Sequence, residues 1–254
     1  MIEDDEEDRP APLAHVFERL PLLGDAHADL YLRMQCQNIS IADDFLYNLE
    51  DHTFAEWNSS DDDRLPIPNV MLLSSISQLW IFGLYELLRT WRQHLKDVTS
   101  YGDRLAIITE KDPTRREERM HQQRERFRKS NAIGSARLNL LDADGSDHEY
   151  NSSGFFVVEK DEPYLIFLRQ IRGRLEPVFQ IVELVRVALA KHEIHNVPGR
   201  KAHGVGYSRM DRDSGSLMWF IDREDGSELL ITRREIADKV RELSHDNTKC
   251  QPLT

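Results

Sequence analysis

The sequence predicts a mainly α protein: a helical bundle with a small C-terminal three-stranded antiparallel β-meander and a terminal helix, an α+β arrangement. Three observations predict this fold class. Apolar residues recur at three- and four-residue spacing over Val70–Leu95 and Pro177–His195, as on one face of a helix. Near the C-terminus the apolar period falls to two, with turn sequences between the apolar runs. Thr232 and Glu235 then form a capping box, which marks the start of the last helix.

The first half of the chain is predicted to be helical with one polar interruption. Residues 11–20 and 26–34 have helical spacing and suggest an N-terminal helical pair. Residues 38–68 are polar and acidic, so we expect short helices and an exposed loop there. The helix of residues 70–95 is the most apolar and should lie at the centre of the bundle. Serine, glutamine and glutamate interrupt its apolar run, which favours a buried helix of a soluble protein over a membrane span.

The second half begins with a charged segment and ends in the meander. Residues 114–129 carry only two apolar side chains, so a helix there would be largely solvated. A linker over 131–150 precedes a helical region that starts near Glu162. This region is predicted to break near Gly173 and to resume at Pro177, because the fixed φ of proline suits the first turn of a helix. Strands are predicted at 205–210, 216–221 and 228–231, and the last helix at 233–243.

These elements divide the chain into three parts. Residues 1–10 are expected to form an acidic disordered tail. Residues 11–200 form a helical body with an exposed charged insertion at about 98–153. Residues 201–254, the meander and the C-terminal helix, should pack on that body. A chain of 254 residues can bury a sizeable core without a disulfide or a metal ion.

Charge and cysteine content narrow the functional classes. The two cysteines, Cys36 and Cys250, do not suggest a secreted disulfide framework, and the acidic N-terminus is unlike a signal peptide. We therefore predict a cytoplasmic protein without a membrane partner. The net charge of -12 opposes indiscriminate binding to nucleic acid, but a local basic helix can still contact an RNA backbone. The residues predicted to do so are Arg115, Arg116, Arg119, Arg124, Arg126, Arg128 and Lys129.

Two apolar helices carry nearly the same polar motif. Arg89 is followed by His94, Arg186 is followed by His192, and each arginine stands three residues after a glutamate. Ionised groups are costly to bury unless they are paired or reach a solvated cleft. An arginine can stabilise the charge of a phosphorane, and a histidine with a pKa near neutrality can transfer a proton. Because residues five or six apart do not share a helix face, an arginine and a histidine that act together should come from two helices.

This spacing resembles the Arg-(x4–6)-His signature of HEPN-type helical domains, many of which are metal-independent ribonucleases. The resemblance implies RNA cleavage by attack of a 2′-hydroxyl on the adjacent phosphorus, without a cofactor. It also implies a cleft between two motif helices, either across a homodimer or within one chain. Arg186 and His192 are the leading catalytic pair, and Arg89 with His94 is the reserve pair.

Alternative interpretations remain open at this point. Each motif arginine is spaced for an intrahelical ion pair with its glutamate, and a histidine at a helix end often caps carbonyl groups. On that interpretation the chain is a non-catalytic helical module that binds a protein partner or oligomerises. The basic segment is then an ordinary solvated helix with Glu–Arg pairs. His192, His195 and His203 also suggest zinc, but without a cysteine nearby or a clear fourth ligand we expect no metal site.

Overall fold

The computed structural model describes residues 9–23, 30–59, 64–106, 113–122, 162–190, 209–222 and 226–244. These residues are mainly helical, and a three-stranded antiparallel sheet precedes the last helix, so the predicted fold class is confirmed. The helices are α1 (Leu13–Glu18), α2 (Leu30–Asn58), α3 (Ile67–Ala106), α4 (residues 113–122), α5 (Glu162–Ala190) and α6 (Arg233–Glu242). The strands are β1 (Arg209–Met210), β2 (Leu217–Asp222) and β3 (Glu228–Thr232).

The chain divides into two compact units. The first comprises Met1–Arg92 and Ile171–Lys249, and the second comprises Gln93–Gln170 and Cys250–Thr254. Helices α3 and α5 each contribute one part of their length to each unit. Each unit buries large apolar side chains of its own. They include Leu46, Trp80, Leu84, Val182, Trp219 and Ile236 in the first unit, and Leu95, Val98, Tyr101 and Leu168 in the second.

Helix α2 replaces the short helices predicted for the first part of residues 38–68. It is a single helix of 29 residues that ends at Asn58, so the prediction of short helices is wrong. The predicted exposed loop is present in part, because residues 59 and 64–65 are non-helical and exposed. Polar residues on the inner face of α2 explain the error, because Asp43 and Glu50 are only 1% and 0% exposed. Of the helix predicted over 26–34, residues 30–34 form the beginning of α2 and residues 26–29 lie outside the described residues. The helix before it, α1, has only six residues. Polarity up to Asn58 therefore marks a buried helix face and not a series of short helices.

Helix α5 is continuous across Pro177, so the predicted break between Gly173 and Pro177 is also wrong. A proline inside a helix removes one hydrogen bond, and its ring crowds the carbonyl four residues earlier, which here belongs to Gly173. Tertiary packing on both sides offsets this cost. Ile171, Leu175 and Phe179 are all buried. The arginine of the second motif therefore belongs to one long helix.

Helix α3 is longer than the predicted segment 70–95, and its last turns fall where the charged insertion was expected to start. Among the described helices, its Ile67–Arg104 part is the one long and apolar enough to cross a bilayer. An 18-residue window there has a mean hydropathy of 1.4, and 28% of that window is buried inside the protein. The core helix of a soluble protein passes the same test. Trp80 and Leu88 of α3 are fully buried, so the helix is compatible with a soluble protein.

The C-terminal meander and helix agree with the sequence prediction. Strand β2 lies between β1 and β3 and pairs antiparallel with both, with Trp219 opposite Ile231. Residues 205–208 of the first predicted strand lie outside the described residues. The predicted capping box is present: the Glu235 backbone N–H donates to the Thr232 side chain, and the Thr232 backbone N–H donates to the Glu235 carboxylate. These local interactions set where α6 begins.

The turn between β1 and β2 lies close to α2. Gly215 has a φ of +67°, a left-handed conformation that favours glycine. A Cβ atom at this position would lie 2.7 Å from Cβ of Phe54 and 3.0 Å from the backbone oxygen of Glu50. The glycine therefore allows both the turn and its close approach to the helix.

Candidate functional site

The two motif arginines lie on helices that pack against each other in the first unit. Arg92 of α3 pairs with Glu176 of α5, whereas Tyr85 of α3 contacts both Phe179 and Arg186 of α5. Contacts that run in opposite order along two helices show that the helices are antiparallel here. The structure therefore places the Arg186 side chain of α5 against α3, the helix that carries the other motif.

Arg89, the arginine of the first motif, is paired with Glu86. Its Nε and Nη2 atoms donate to one carboxylate oxygen of Glu86 at 2.9 and 2.7 Å. These bonds raise the pKa of Arg89 above its ordinary value. His94, its predicted catalytic partner, is half-buried on α3 and has an interaction of its own. The ion pair predicted from the three-residue spacing is thus formed, and it leaves Arg89 with less charge to offer a substrate.

Arg186, the arginine of the second motif, does not form the ion pair that its spacing to Glu183 predicts. Its guanidinium carbon instead lies 4.9 Å from the ring centroid of Tyr85 and 6.0 Å from that of Phe82. Its Nε atom is buried and has no hydrogen-bond partner among the described residues. An aromatic face attracts a guanidinium without cancelling its charge. His192, the proposed partner of Arg186, lies outside the described residues.

The basic segment is described in part. Helix α4 belongs to the second unit and is exposed along its length except at Met120, as predicted for a solvated helix. Arg115, Arg116 and Arg119 are exposed on it, and Arg115 and Arg119 have interaction partners. The rest of the predicted RNA-contacting set lies outside the described residues: Arg124, Arg126, Arg128 and Lys129.

The three histidines considered for zinc, His192, His195 and His203, also lie outside the described residues. Within the part of the chain that the structure describes, no group of three or more His, Cys, Asp or Glu residues is placed to hold a metal ion. The described residues therefore provide no candidate metal centre.

A second group of charged residues, which the sequence analysis missed, lies between α2 and α6. We call it the buried charge network; it comprises Asp43, Glu50, Arg233, Arg234 and Arg241. Arg233 donates to Asp43 and, through Nε and Nη2 at 2.6 Å each, to both oxygens of Glu50. Arg234 also donates to Glu50, at 2.8 Å, and Arg241 donates to Asp43, at 2.7 Å. Such bidentate contacts between charged groups are among the strongest hydrogen bonds in proteins.

The electrostatics of the buried charge network indicate a structural role. Burial raises the pKa of Asp43, although Arg233 and Arg241 oppose the shift. Burial lowers the pKa of Arg233, but hydrogen bonds and charge from Glu50 and Asp43 outweigh it, and the pKa is raised overall. The Ser216 hydroxyl donates a further bond to Glu50 at 2.9 Å. Arg234 and Arg241 also pair with Asp51 and Asp238 at the edge of the network. Each arginine of the cluster therefore has an acid, and the cluster offers no free charge to a substrate.

A sequence signal for the network exists, though it is weak. Asp43 and Glu50 are seven residues apart and therefore lie on one helix face, the same face as the buried Ile39 and Leu46. Acids on an apolar face require cations. The sequence does not show that these cations come from α6.

Some large apolar side chains remain exposed on α2 and α3. Ile41, Met71 and Leu79 are 68%, 65% and 71% exposed. Residues 67–85 of α3 contain no charged side chain. Scattered exposed apolar residues are normal, but several on neighbouring helices can mark an interaction surface. The other exposed apolar residues of these helices are Leu30, Tyr31, Met34, Phe45, Ile67 and Leu72.

Comparison of the chain with protein-family models, with curated proteins and with solved structures finds no match. The resemblance to HEPN domains therefore rests on the Arg–His spacing and on the chemistry of the motif residues.

Proposed function

We propose that this protein is a metal-independent endoribonuclease of HEPN-like type. The observation that supports it is the environment of Arg186, which lies against aromatic rings and forms no ion pair with an acid among the described residues. A guanidinium whose charge is not neutralised by a neighbouring acid is suited to the negative charge that builds up on phosphorus during RNA cleavage. Arg89 is the weaker choice because Glu86 already pairs with it.

In the proposed reaction the 2′-hydroxyl of one nucleotide attacks the adjacent phosphorus. The bond from phosphorus to the 5′-oxygen of the next nucleotide breaks, which leaves a 2′,3′-cyclic phosphate and a 5′-hydroxyl. Arg186 binds the non-bridging oxygens, and His192 takes the proton from the attacking hydroxyl or gives one to the leaving oxygen. Residues six apart do not share a helix face, so we place His192 of a second copy opposite Arg186.

The basic side chains of residues 115–129 are proposed to position the RNA by phosphate contacts. Such contacts set the register and orientation of a nucleic acid without reading its bases. Their contribution would make affinity depend strongly on salt concentration. Arg116 and its exposed neighbours on α4 are the described members of this set.

Purified full-length protein should be incubated with structured RNA in the presence of EDTA. We expect cleavage that leaves cyclic phosphate ends. Arg186→Ala should lower the rate by about 100-fold or more, as for loss of one group that stabilises transition-state charge. His192→Ala should lower it by about 100- to 10,000-fold, as for loss of a general acid or base.

Two further measurements make this test decisive. Both variants should stay folded, because neither removes a described buried ion pair and the contact of Arg186 with Tyr85 is worth only about 1–2 kcal/mol. Arg89→Ala should cleave at nearly the wild-type rate if Arg186 is the acting arginine. Cleavage that survives Arg186→Ala but not Arg89→Ala would move the assignment to the reserve pair, and absence of cleavage by the wild type would refute the ribonuclease proposal.

The second candidate function is a non-catalytic module that binds a protein or a second copy of the chain. The exposed apolar residues of α2 and α3 favour it, with Leu79 the most exposed. Sedimentation of the wild type and of Leu79→Glu would test it. A dimer or complex that dissociates in the variant, together with no RNA cleavage by the wild type, would favour the module over the enzyme.

A further inference from the structure

The contacts of Arg186 continue into a row of stacked side chains between α3 and α5. We call Arg186, Tyr85 and Phe179 the cation–aromatic row. The guanidinium carbon of Arg186 lies 4.9 Å from the Tyr85 ring centroid, and the Tyr85 and Phe179 centroids are 5.6 Å apart with an interplanar angle of 28°. Arg92 lies beyond Phe179, with its guanidinium carbon 4.5 Å from that ring.

The two arginines next to this aromatic pair differ in charge compensation. Arg92 forms two hydrogen bonds of 2.8 Å with Glu176, one to each carboxylate oxygen. Within the described part of the chain Arg186 has neither such an acid nor an acceptor for its buried Nε. A buried N–H without an acceptor is costly, and an anion that supplied one would recover that cost. We therefore expect Arg186 to bind an added anion and Arg92 not to bind one.

We infer that Tyr85 and Phe179 are positioning residues that hold Arg186 as a receptor for one phosphate of a nucleic-acid strand. The inference rests on the proposed function for the identity of its ligand, a phosphodiester. Phe179 is 3% exposed, so the ring against which Tyr85 stacks is fixed by the core. The stack limits where the guanidinium can lie before the ligand arrives, and such preorganisation strengthens binding.

The test uses a short fluorescent single strand made entirely of 2′-deoxynucleotides, which lacks the nucleophile and cannot be cleaved by the proposed reaction. Its affinity for the full-length protein is measured over a series of salt concentrations. For single strands, log K falls with log salt by about 0.7 per phosphate contact. Arg186→Gln should therefore reduce the slope by about 0.7 and weaken binding by about tenfold or more at low salt.

Three further variants separate positioning from general structure. Tyr85→Leu should reduce the slope nearly as much as Arg186→Gln, because the guanidinium loses its support. Tyr85→Phe should restore the wild-type slope, since the ring alone makes the contact. Arg92→Gln is the matched control and should leave the slope unchanged, because Glu176 already compensates that charge.

Several results would overturn the inference. An unchanged slope in Arg186→Gln would show that this arginine holds no phosphate. A reduced slope in Arg186→Gln but a wild-type slope in Tyr85→Leu would show that the ring does not position it. If Tyr85→Leu fails to fold, the Arg186 Nε–H signal of the wild type provides a second measurement by nuclear magnetic resonance. It should carry a ring-current shift and should move on addition of inorganic phosphate; a signal at the ordinary position that phosphate leaves unmoved would refute the site.

The outcomes also separate this inference from the ribonuclease proposal. Binding that behaves as predicted, without cleavage of RNA, would support a phosphate site and refute the nuclease. Cleavage of RNA with a salt slope that does not depend on Arg186 or Tyr85 would support the nuclease and refute the positioning role.

Discussion

Removing the charge of Glu50 should destabilise the protein strongly. This residue is 0% exposed and accepts four hydrogen bonds: two from Arg233, one from Arg234 and one from Ser216. Glu50→Gln keeps the shape of the side chain but replaces one acceptor oxygen with an NH₂ group that faces guanidinium donors. Arg233, itself 1% exposed, would then be compensated by Asp43 alone.

The size of the effect follows from the cost of an uncompensated buried charge. Breaking a buried ion pair by changing one partner costs about 3–5 kcal/mol. For a protein of this size, 1 kcal/mol corresponds to about 2–4 °C in the unfolding temperature, so a fall of about 6–20 °C is expected. Ser216→Ala removes one hydroxyl bond from the same carboxylate and should cost only about 1 kcal/mol.

Tryptophan fluorescence during urea unfolding is a suitable assay. All four tryptophans lie in the first unit, which contains the network, and the guanidinium carbon of Arg233 is 5.5 Å from the Trp80 ring centroid. Glu86→Gln is the matched control, because its pair with Arg89 is exposed and should contribute less than about 1 kcal/mol. A Glu50→Gln variant as stable as this control would refute the argument that the network is buried and interdependent.

The remaining predictions concern other buried groups of the first unit. Burial raises the pKa of the Cys36 thiol to about 12, so in a Cys250→Ser background iodoacetamide at about pH 8 should label Cys36 only after unfolding; labelling of the folded protein would contradict this. Burial also raises the pKa of Asp43, so the folded state holds that proton more tightly than the unfolded state. The stability that Asp43 contributes is then present below its unfolded pKa of about 3.9 and lost as pH rises through the folded value. The free energy of unfolding should be measured with urea at several pH values for the wild type and for Asp43→Asn. The wild-type value minus the variant value should fall as pH rises above about 3.9, and a rising difference would refute the raised pKa of Asp43. Gly215→Ala should cost more than Gly226→Ala in thermal unfolding, since both have positive φ but only the first would bring a Cβ within 4 Å of other atoms; equal costs would contradict the close packing.

The C-terminal region could be predicted because its signals are local. Thr232 and Glu235 satisfy each other within one helical turn, and the turn sequences lie directly between the strands. Neither signal depends on a distant part of the chain. The strand order and the start of α6 are therefore visible in a short stretch of sequence.

Helix α2 could not be predicted because its polar face is satisfied at long range. The arginine partners of Asp43 and Glu50 lie 183 to 198 positions away along the chain. A short sequence window shows acids without cations and suggests exposure. Pro177 misled the prediction of α5 in a similar way, since the packing that keeps the helix continuous comes from other elements.

The residue types of the candidate site could be predicted from the sequence, but which of its arginines forms an ion pair could not. Arg89 and Arg186 have the same spacing to a preceding glutamate, yet only Arg89 forms the ion pair. Arg186 instead lies against the ring of Tyr85, a contact made by tertiary packing between two helices. The spacing along one helix shows which ion pairs can form, but packing against the neighbouring helix determines which of them do form.

The arrangement of the buried charge network has a consequence for synthesis of the protein on the ribosome. Asp43 and Glu50 are made early, but Arg233 and Arg241 emerge only after some 180 further residues have been translated. Until then α2 has two acids without cationic partners, and burying them would cost the free energy of desolvation. The first unit therefore completes its folding late, and a message that stops before codon 233 would yield a chain open to proteolysis.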